Sequence, residues 1–521
     1  MKSIGFKNFR RFQEMNGISL GGINIFVGGN NAGKSTVVKG LLLLLDFLKN
    51  QKVASSNLFE TPKFRFDGPE AHDVNIDTFG RALCWKAKEK EIVFNASIED
   101  IVVEVCIYNN SPEEVGYADV KYINLEDQKT GLKFVFDVSN GKTQVSSFIE
   151  QRIEIQKRIE EFEMDLKRLE MELDRMTALE LDEENGNKML DCIAQKSHIE
   201  AVLAELRKTL DRPEEVWIET RLHRSLSSSS SSYVYSYLQG LLEFVEVSAK
   251  SKKSEKTEIG QKDLVWLEQH LSDFNDVCNR FEHAVQKTSV EYVYSHDANQ
   301  RVIYNKKDEN DYVSKSIHEF YNQRISSESD LGKKMLSWLK DFCGVEDYKV
   351  ETIQGVAYRF ILKVDGRLVD LADMGRGAIQ LVTLCVRLAS IIKKYQGKTD
   401  APIVLIEEPE QNLHPEYQSY LLDLFYSIYN EFGIRFIIET HSEYLVRRLQ
   451  IIVASILNDK DSNISLDKVN TQHIVYYFPQ NGSPYSMVFL KNGRFENSFD
   501  NGFYDQTGML NIKLLKAGKG E

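Results

Sequence analysis

A glycine-rich loop near the start of the chain and an acidic strand end far downstream restrict the fold more than any other features. The loop reads Gly28-Gly29-Asn30-Asn31-Ala32-Gly33-Lys34-Ser35-Thr36, the Gly-x-x-x-x-Gly-Lys-Ser pattern. Its glycines let successive backbone N–H groups face phosphate oxygens, its lysine reaches the terminal phosphates, and the serine hydroxyl meets Mg²⁺. The context agrees. Ile23 to Val27 reads as a buried strand and Ser35 to Lys49 as an apolar helix whose N-terminus adds its own attraction for anions. Gly28, Asn30, Asn31, Gly33, Lys34, Ser35 and Thr36 are therefore the candidate contacts for ATP, with Ser35 also a candidate Mg²⁺ ligand.

The downstream partner is Ile403-Val404-Leu405-Ile406-Glu407-Glu408-Pro409-Glu410, an apolar run from Ala401 to Ile406 that ends in paired carboxylates. Glu407 stands where an acid meets Mg²⁺, directly or through water, although Asp is commoner there. Glu408 stands where a base polarises the attacking water. A further strand, Ile434 to Ile438, ends in Glu439-Thr440-His441-Ser442. His441, one helix after the acidic strand, is a candidate to hydrogen-bond the γ-phosphate or the lytic water. Upstream, Asp370 to Gln380 forms a glycine-containing turn that opens a long apolar helix through Leu381, Leu384, Leu388 and Ile391. Such a turn is another anion site.

Between the two halves the apolar spacing changes to heptads. Ile155, Ile159, Phe162, Leu166, Leu169, Leu173 and Met176 recur at steps of four and three. A turn is expected over Asp182 to Gly186, and an arm returns through Met189, Cys192, Ile199, Leu203, Leu206 and Leu210 before Pro213. The pattern predicts an antiparallel coiled-coil hairpin, or else two amphipathic helices packed on the rest. Its tip lacks Cys-x-x-Cys, which excludes a zinc hook. Ser227 to Ser232 read as a flexible linker. A helical stretch follows, with Leu264, Leu267, Leu271, Phe274, Val277 and Phe281 on one face. Lys250, Lys252, Lys253 and Lys256 form a basic loop that either touches phosphate backbones or is simply solvated.

The ordered set of motifs resembles the ABC-type ATPases of the OLD family and, in its split layout, SMC-like ATPases. The residues that carry the resemblance are Asn8-Phe9-Arg10, the phosphate loop, Leu371 to Gln380, Glu407 to Pro415 and Glu439 to Leu445. The resemblance implies an α/β fold: an ABC/SMC-type P-loop ATPase head with an inserted antiparallel coiled-coil hairpin and helical segment. It divides the chain into 1–145, a first lobe; 146–215, the hairpin; 216–290, the helical insertion; and 291–521, a second lobe. It adds Arg10 to the nucleotide contacts. It also implies a homodimer or higher oligomer closed around two ATP molecules, with Gly375, Arg376 and Gly377 facing the partner's γ-phosphate. Relatives often carry Ser where this chain has Ile379. That leaves Arg376 either as a replacement cation or as an ordinary surface residue. OLD nucleases append a Toprim domain, but here Asp459-Lys460-Asp461 follows a helix-like run and reads as a loop. The resemblance thus implies an ATPase that controls a separate effector, such as a nuclease in anti-phage defence. The alternatives are a DNA-repair or chromosome-maintenance ATPase acting on DNA, and an ATP-locked scaffold with little turnover.

Composition limits the choices further. A net charge of −13 argues against coating nucleic acid through bulk charge, leaving only local contact with DNA. Six scattered cysteines offer no metal motif and fit free thiols in a reducing compartment. Met1 to Phe6 reads as a strand rather than a signal peptide, and Leu41 to Leu45 is too short to span a bilayer. A cytoplasmic protein without membrane attachment is expected.

Overall fold

The computed structural model describes the chain except for residues 51–61, 72–73, 112–115, 148, 178–182, 210–213, 219–232, 251–260, 294–300, 309–310, 399, 460–463, 501–502, 505–509, 511–512 and 516–521. The serine run 227–232, Lys252, Lys253, Lys256 and Asp461 lie outside the described residues.

Among the described residues, three sheets organise the molecule. The sheet that positions the site has six strands in the order Val290–Val293, Ile403–Glu407, Arg435–Glu439, Ile23–Gly28, His473–Phe478, Tyr485–Met487. The first five run parallel and the last is antiparallel. Ile23–Gly28 and His473–Phe478 are buried at every position. That is why they read as continuous apolar runs rather than as alternation: helices cover both faces of a parallel sheet. Register places Glu407 opposite Glu439 and Glu439 opposite Phe26, so these strands end along one edge.

The crossover between Ile403–Glu407 and Arg435–Glu439 is the helix Pro415–Phe432. Pro415 at its first turn needs no N–H partner, and Gly433 closes it in the left-handed conformation at φ 68°. A nine-stranded antiparallel sheet forms the second layer, with Lys34–Asn50 packed into the core beneath it. Leu41 to Leu45 are all buried there, so the run is core rather than membrane. Among the described residues no helix is long and apolar enough to cross a membrane. A four-stranded sheet, Tyr304–Asn305, Ala357–Val364, Val345–Ile353 and Arg367–Asp370, completes the structure.

The heptad segment forms two helices, Ile149–Thr177 and Glu183–Thr209, which pack on one another. Ile159 and Leu203 are buried between them, and Lys196 pairs with Glu170 at 3.0 Å. Gly186 lies inside the second helix rather than in a turn. In sequence the pair lies between two neighbouring strands, Lys142–Ser147 and the edge strand Glu214–Ile218. Residues 214–218 thus belong to the nine-stranded sheet and straddle the expected boundary at 215/216. The helical stretch downstream is broken at His270 into Gln261–Gln269 and Leu271–Lys287, with Leu267, Phe274, Val277 and Phe281 in the core. Asp459 caps the helix Glu443–Asn458, and the chain beyond it adds a short helix, Leu466–Gln472, before His473.

Candidate active site

The glycine-rich loop joins a buried strand to the helix Lys34–Asn50, as its spacing predicts. Gly33 has φ 101°, and a Cβ there would lie 2.5 Å from the Phe12 ring and 2.6 Å from Arg11, so only glycine fits. Arg11 braces the loop from outside. It donates to the carbonyls of Asn31 and, at 2.6 Å, of Gln480. The Gln480 amide in turn donates to the Asn30 carbonyl at 3.0 Å. Thr36 is buried within the first turn of the helix.

Lys34 is 3% exposed and folds back on the loop, donating to the carbonyls of Gly28 at 3.1 Å and Gly29 at 3.2 Å. Desolvation lowers its pKa, opposed by the carboxylates of Glu439, Glu408 and Glu410. His441 Nε2 lies 3.2 Å from Lys34 Nζ and 3.5 Å from Glu408 Oε1. Burial, followed by the neighbouring ammonium, pushes the His441 pKa below the usual imidazole value and keeps the ring neutral.

The acids divide by backbone. Glu408 sits just past the end of its strand with φ 42°, an unusual conformation for a non-glycine residue. The Glu408 N–H donates to the Glu439 carbonyl at 2.8 Å, and the Gln411 amide donates to its carboxylate. Glu407 is partly buried at the end of its strand. Glu410 accepts from the His441 N–H at 2.7 Å, and burial raises its pKa.

Sequence reasoning missed Glu439. It is 5% exposed, accepts from Ser35 Oγ at 2.7 Å, and lies 4.0 Å from Lys34 Nζ. Desolvation, aided by Glu407 and Glu408, raises its pKa to about 7. The available signal was a carboxylate ending an apolar strand, the same position that Glu407 holds on the neighbouring strand.

The structure therefore gathers Lys34, Ser35, Glu408, Glu439 and His441 at the carboxyl ends of three adjacent parallel strands, where open α/β sheets bind ligands. Arg10 is partly buried, and burial followed by Arg81 lowers its pKa; burial, then Arg10, lowers that of Lys39, which the carboxylates of Glu407 and Glu439 raise. The Gly375 turn caps the helix Arg376–Tyr395, with Gly375 and Arg376 exposed and open space around Gly375. Gly377 packs tightly: a Cβ there would approach the Asn412 carbonyl to 2.6 Å. Ile379 is fully buried in the core, so that position does not face outward and a hydroxyl there would not reach a ligand outside the chain.

A family model described as an AAA ATPase domain matches residues 1–446. The chain belongs to that family. Its sheet and phosphate loop form the α/β P-loop ATPase fold. The sequence matches no curated protein. Among solved structures, this AAA ATPase is similar to the Smc head domain with an extended coiled coil, bound to the C-terminal domain of ScpA, from Pyrococcus furiosus, at 8% identity, TM-score 0.33 and 99% coverage of both chains. It is also similar to the SMC head domain from Thermotoga maritima, at 8% identity and TM-score 0.31, covering 93% of this chain and 98% of that one. The recombination mediator protein RecF of the RecFOR pathway is similar at 10% identity and TM-score 0.29, covering 93% and 97%.

Proposed function

We propose that this AAA ATPase binds ATP with Mg²⁺, hydrolyses it, and closes as a dimer around the nucleotide. The observation that carries this reading is the convergence of Lys34, Ser35, Glu408 and His441 at one strand edge, with Lys34 held against the loop carbonyls. In the nucleotide complex Lys34 leaves those carbonyls for the β- and γ-phosphates, and the loop N–H groups hold the phosphate oxygens. The donor set fits a divalent cation: Ser35 hydroxyl and Glu407 carboxylate would hold it, and a buried, unpartnered oxygen of Glu439 lies beside Ser35. Mg²⁺ keeps most of its ligands as water and phosphate, and once bound it neutralises charge on the transferring phosphoryl group. Glu408 accepts the proton of the attacking water, and His441 hydrogen-bonds that water or the phosphate.

Gly375 to Gly377 would complete the site of a second copy. The exposed turn and the free space around Gly375 support that role. We further propose that the ATP-driven closure acts on a separate partner protein, such as a nuclease in bacterial anti-phage defence. The net charge of −13 supports a protein partner over bulk contact with nucleic acid. The test has three arms. Phosphate release should depend on Mg²⁺. The mass measured by light scattering should double with a slowly hydrolysed ATP analogue. Duplex DNA should leave turnover unchanged. Several-fold stimulation by DNA would favour a DNA-repair or chromosome-maintenance role. Dimerisation without turnover would favour an ATP-locked scaffold. Failure to bind nucleotide at all would remove the reading.

A further inference from the structure

Four carboxylates, Glu407, Glu408, Glu410 and Glu439, act on a region shared with buried Lys34 and partly buried Lys39. Two lysines do not balance them, and the nucleotide that would enter adds more negative charge. Of the four, Glu439 is the one bonded to the hydroxyl assigned to the cation. It ends the strand Arg435–Glu439, which lies between the phosphate-loop strand and the acidic strand. Its backbone is fixed from both sides: the Glu439 carbonyl accepts from the Glu408 N–H at 2.8 Å, and the Thr440 N–H donates to the Phe26 carbonyl at 3.0 Å. Oε1 receives the Ser35 proton at 2.7 Å, while Oε2 is buried without a hydrogen-bond partner. A buried, unpaired carboxylate oxygen is unfavourable unless a ligand satisfies it.

We propose that Glu439 is a positioning acid of the Mg²⁺ site: it holds the Ser35 proton so that the serine oxygen presents its lone pairs to the cation. A metal-ligating oxygen is commonly oriented by an outer carboxylate in this way, and loss of such a partner typically costs tenfold to a hundredfold in metal affinity. This inference rests on the nucleotide reading above and deepens it.

The experiment titrates Mg²⁺ against binding of a fluorescent ATP analogue, followed by anisotropy on the full-length chain. Wild type, Glu439→Gln, Ser35→Ala and the double variant are compared. Glu439→Gln should raise the Mg²⁺ concentration for half-maximal binding by roughly tenfold or more, while affinity in EDTA stays within about twofold of wild type. The double variant should be no worse than Ser35→Ala, because both act through one hydroxyl. Glu439→Asp keeps the charge and gives a second reading if the glutamine variant misfolds; its half-maximal Mg²⁺ should fall between the two. An unchanged Mg²⁺ requirement in Glu439→Gln or Glu439→Asp, or additive losses in the double variant, would overturn the assignment. Absence of analogue binding by wild type would instead overturn the nucleotide reading itself, and this inference with it.

Discussion

His441 Nε2 lies 3.5 Å from Glu408 Oε1 while it also faces Lys34 Nζ at 3.2 Å. A neutral ring nitrogen can accept from the lysine or donate toward the carboxylate, not both. With Lys34 resting on the loop, Nε2 accepts. In the proposed nucleotide complex Lys34 would move to the phosphates, and Nε2 would donate toward Glu408 only after the ring proton shifts from Nδ1 to Nε2. On that reading, nucleotide binding and alignment of His441 with Glu408 would be coupled through the imidazole tautomer.

Replacing the lysine tests the first half of that coupling. Lys34→Ala should lose measurable nucleotide binding, since charged hydrogen bonds contribute about 1.5–3 kcal/mol each and the loop has no other cation at that position. Isothermal titration with ATP and Mg²⁺ checks this. Near-native affinity would contradict the phosphate-loop assignment.

Glu408→Gln tests the second half. It should bind ATP about as tightly as wild type yet hydrolyse it at least roughly a hundredfold more slowly, the loss expected for a general base. It should also accumulate as the ATP-bound dimer in gel filtration. Turnover equal to wild type would shift the base to His441.

Arg376 is exposed at the start of its helix, and the same helix is anchored to the sheet edge by Arg387 on Glu291 at 3.0 Å and Lys394 on Glu291 at 2.6 Å. Arg376→Ala should leave binding to single heads largely intact and lower turnover, because a cation aimed at the transferring phosphoryl acts in the transition state. Mixing it with Lys34→Ala should partly restore activity, since one composite site then carries both defects and the other carries neither. Equal rates for wild type and Arg376→Ala would leave the arginine a surface residue.

His473 offers a test of stability. It is 3% exposed between the rings of Tyr426 and Tyr429, and desolvation pulls its pKa down to about 4. Unfolded, it titrates near 6.5, so between about 6.5 and 4 the unfolded chain holds the extra proton. Stability is therefore complete above about pH 6.5 and falls on acidification toward pH 4, by on the order of 3 kcal/mol from this residue. Thermal melts at pH 7.5 and pH 5 should show a smaller acid loss in His473→Phe. Equal losses would exclude His473 as the cause.

Sequence made the phosphate loop, the acidic strand end and His441 legible because each is local: a run of apolar residues followed by its chemistry. Glu439 was hidden although it stands beside His441 in the chain, since its role depends on parallel register with Glu407, and register across a crossover helix leaves no local mark. The hold of Arg11 on the loop was hidden for a related reason: Arg10 and Arg11 form the turn between strands paired at Phe9 and Phe12, where Arg10 has φ 51° and the usual alternation of faces lapses. The Gly186 turn was misplaced because a glycine among polar residues reads as a break, while a helix on a partner helix tolerates one at about 1 kcal/mol.

The position of Ile23–Gly28 in its sheet has a consequence for biosynthesis. This strand is apolar and buried throughout, yet both of its neighbours, Arg435–Glu439 and His473–Phe478, are made more than four hundred residues later. At ribosomal speeds of about 5–20 residues per second, both edges of the strand wait for tens of seconds before they can pair. The nascent chain must shelter that strand or have a chaperone do so. A product truncated before Phe478 would carry an open parallel edge, the kind of surface on which aggregates nucleate, rather than half a working site.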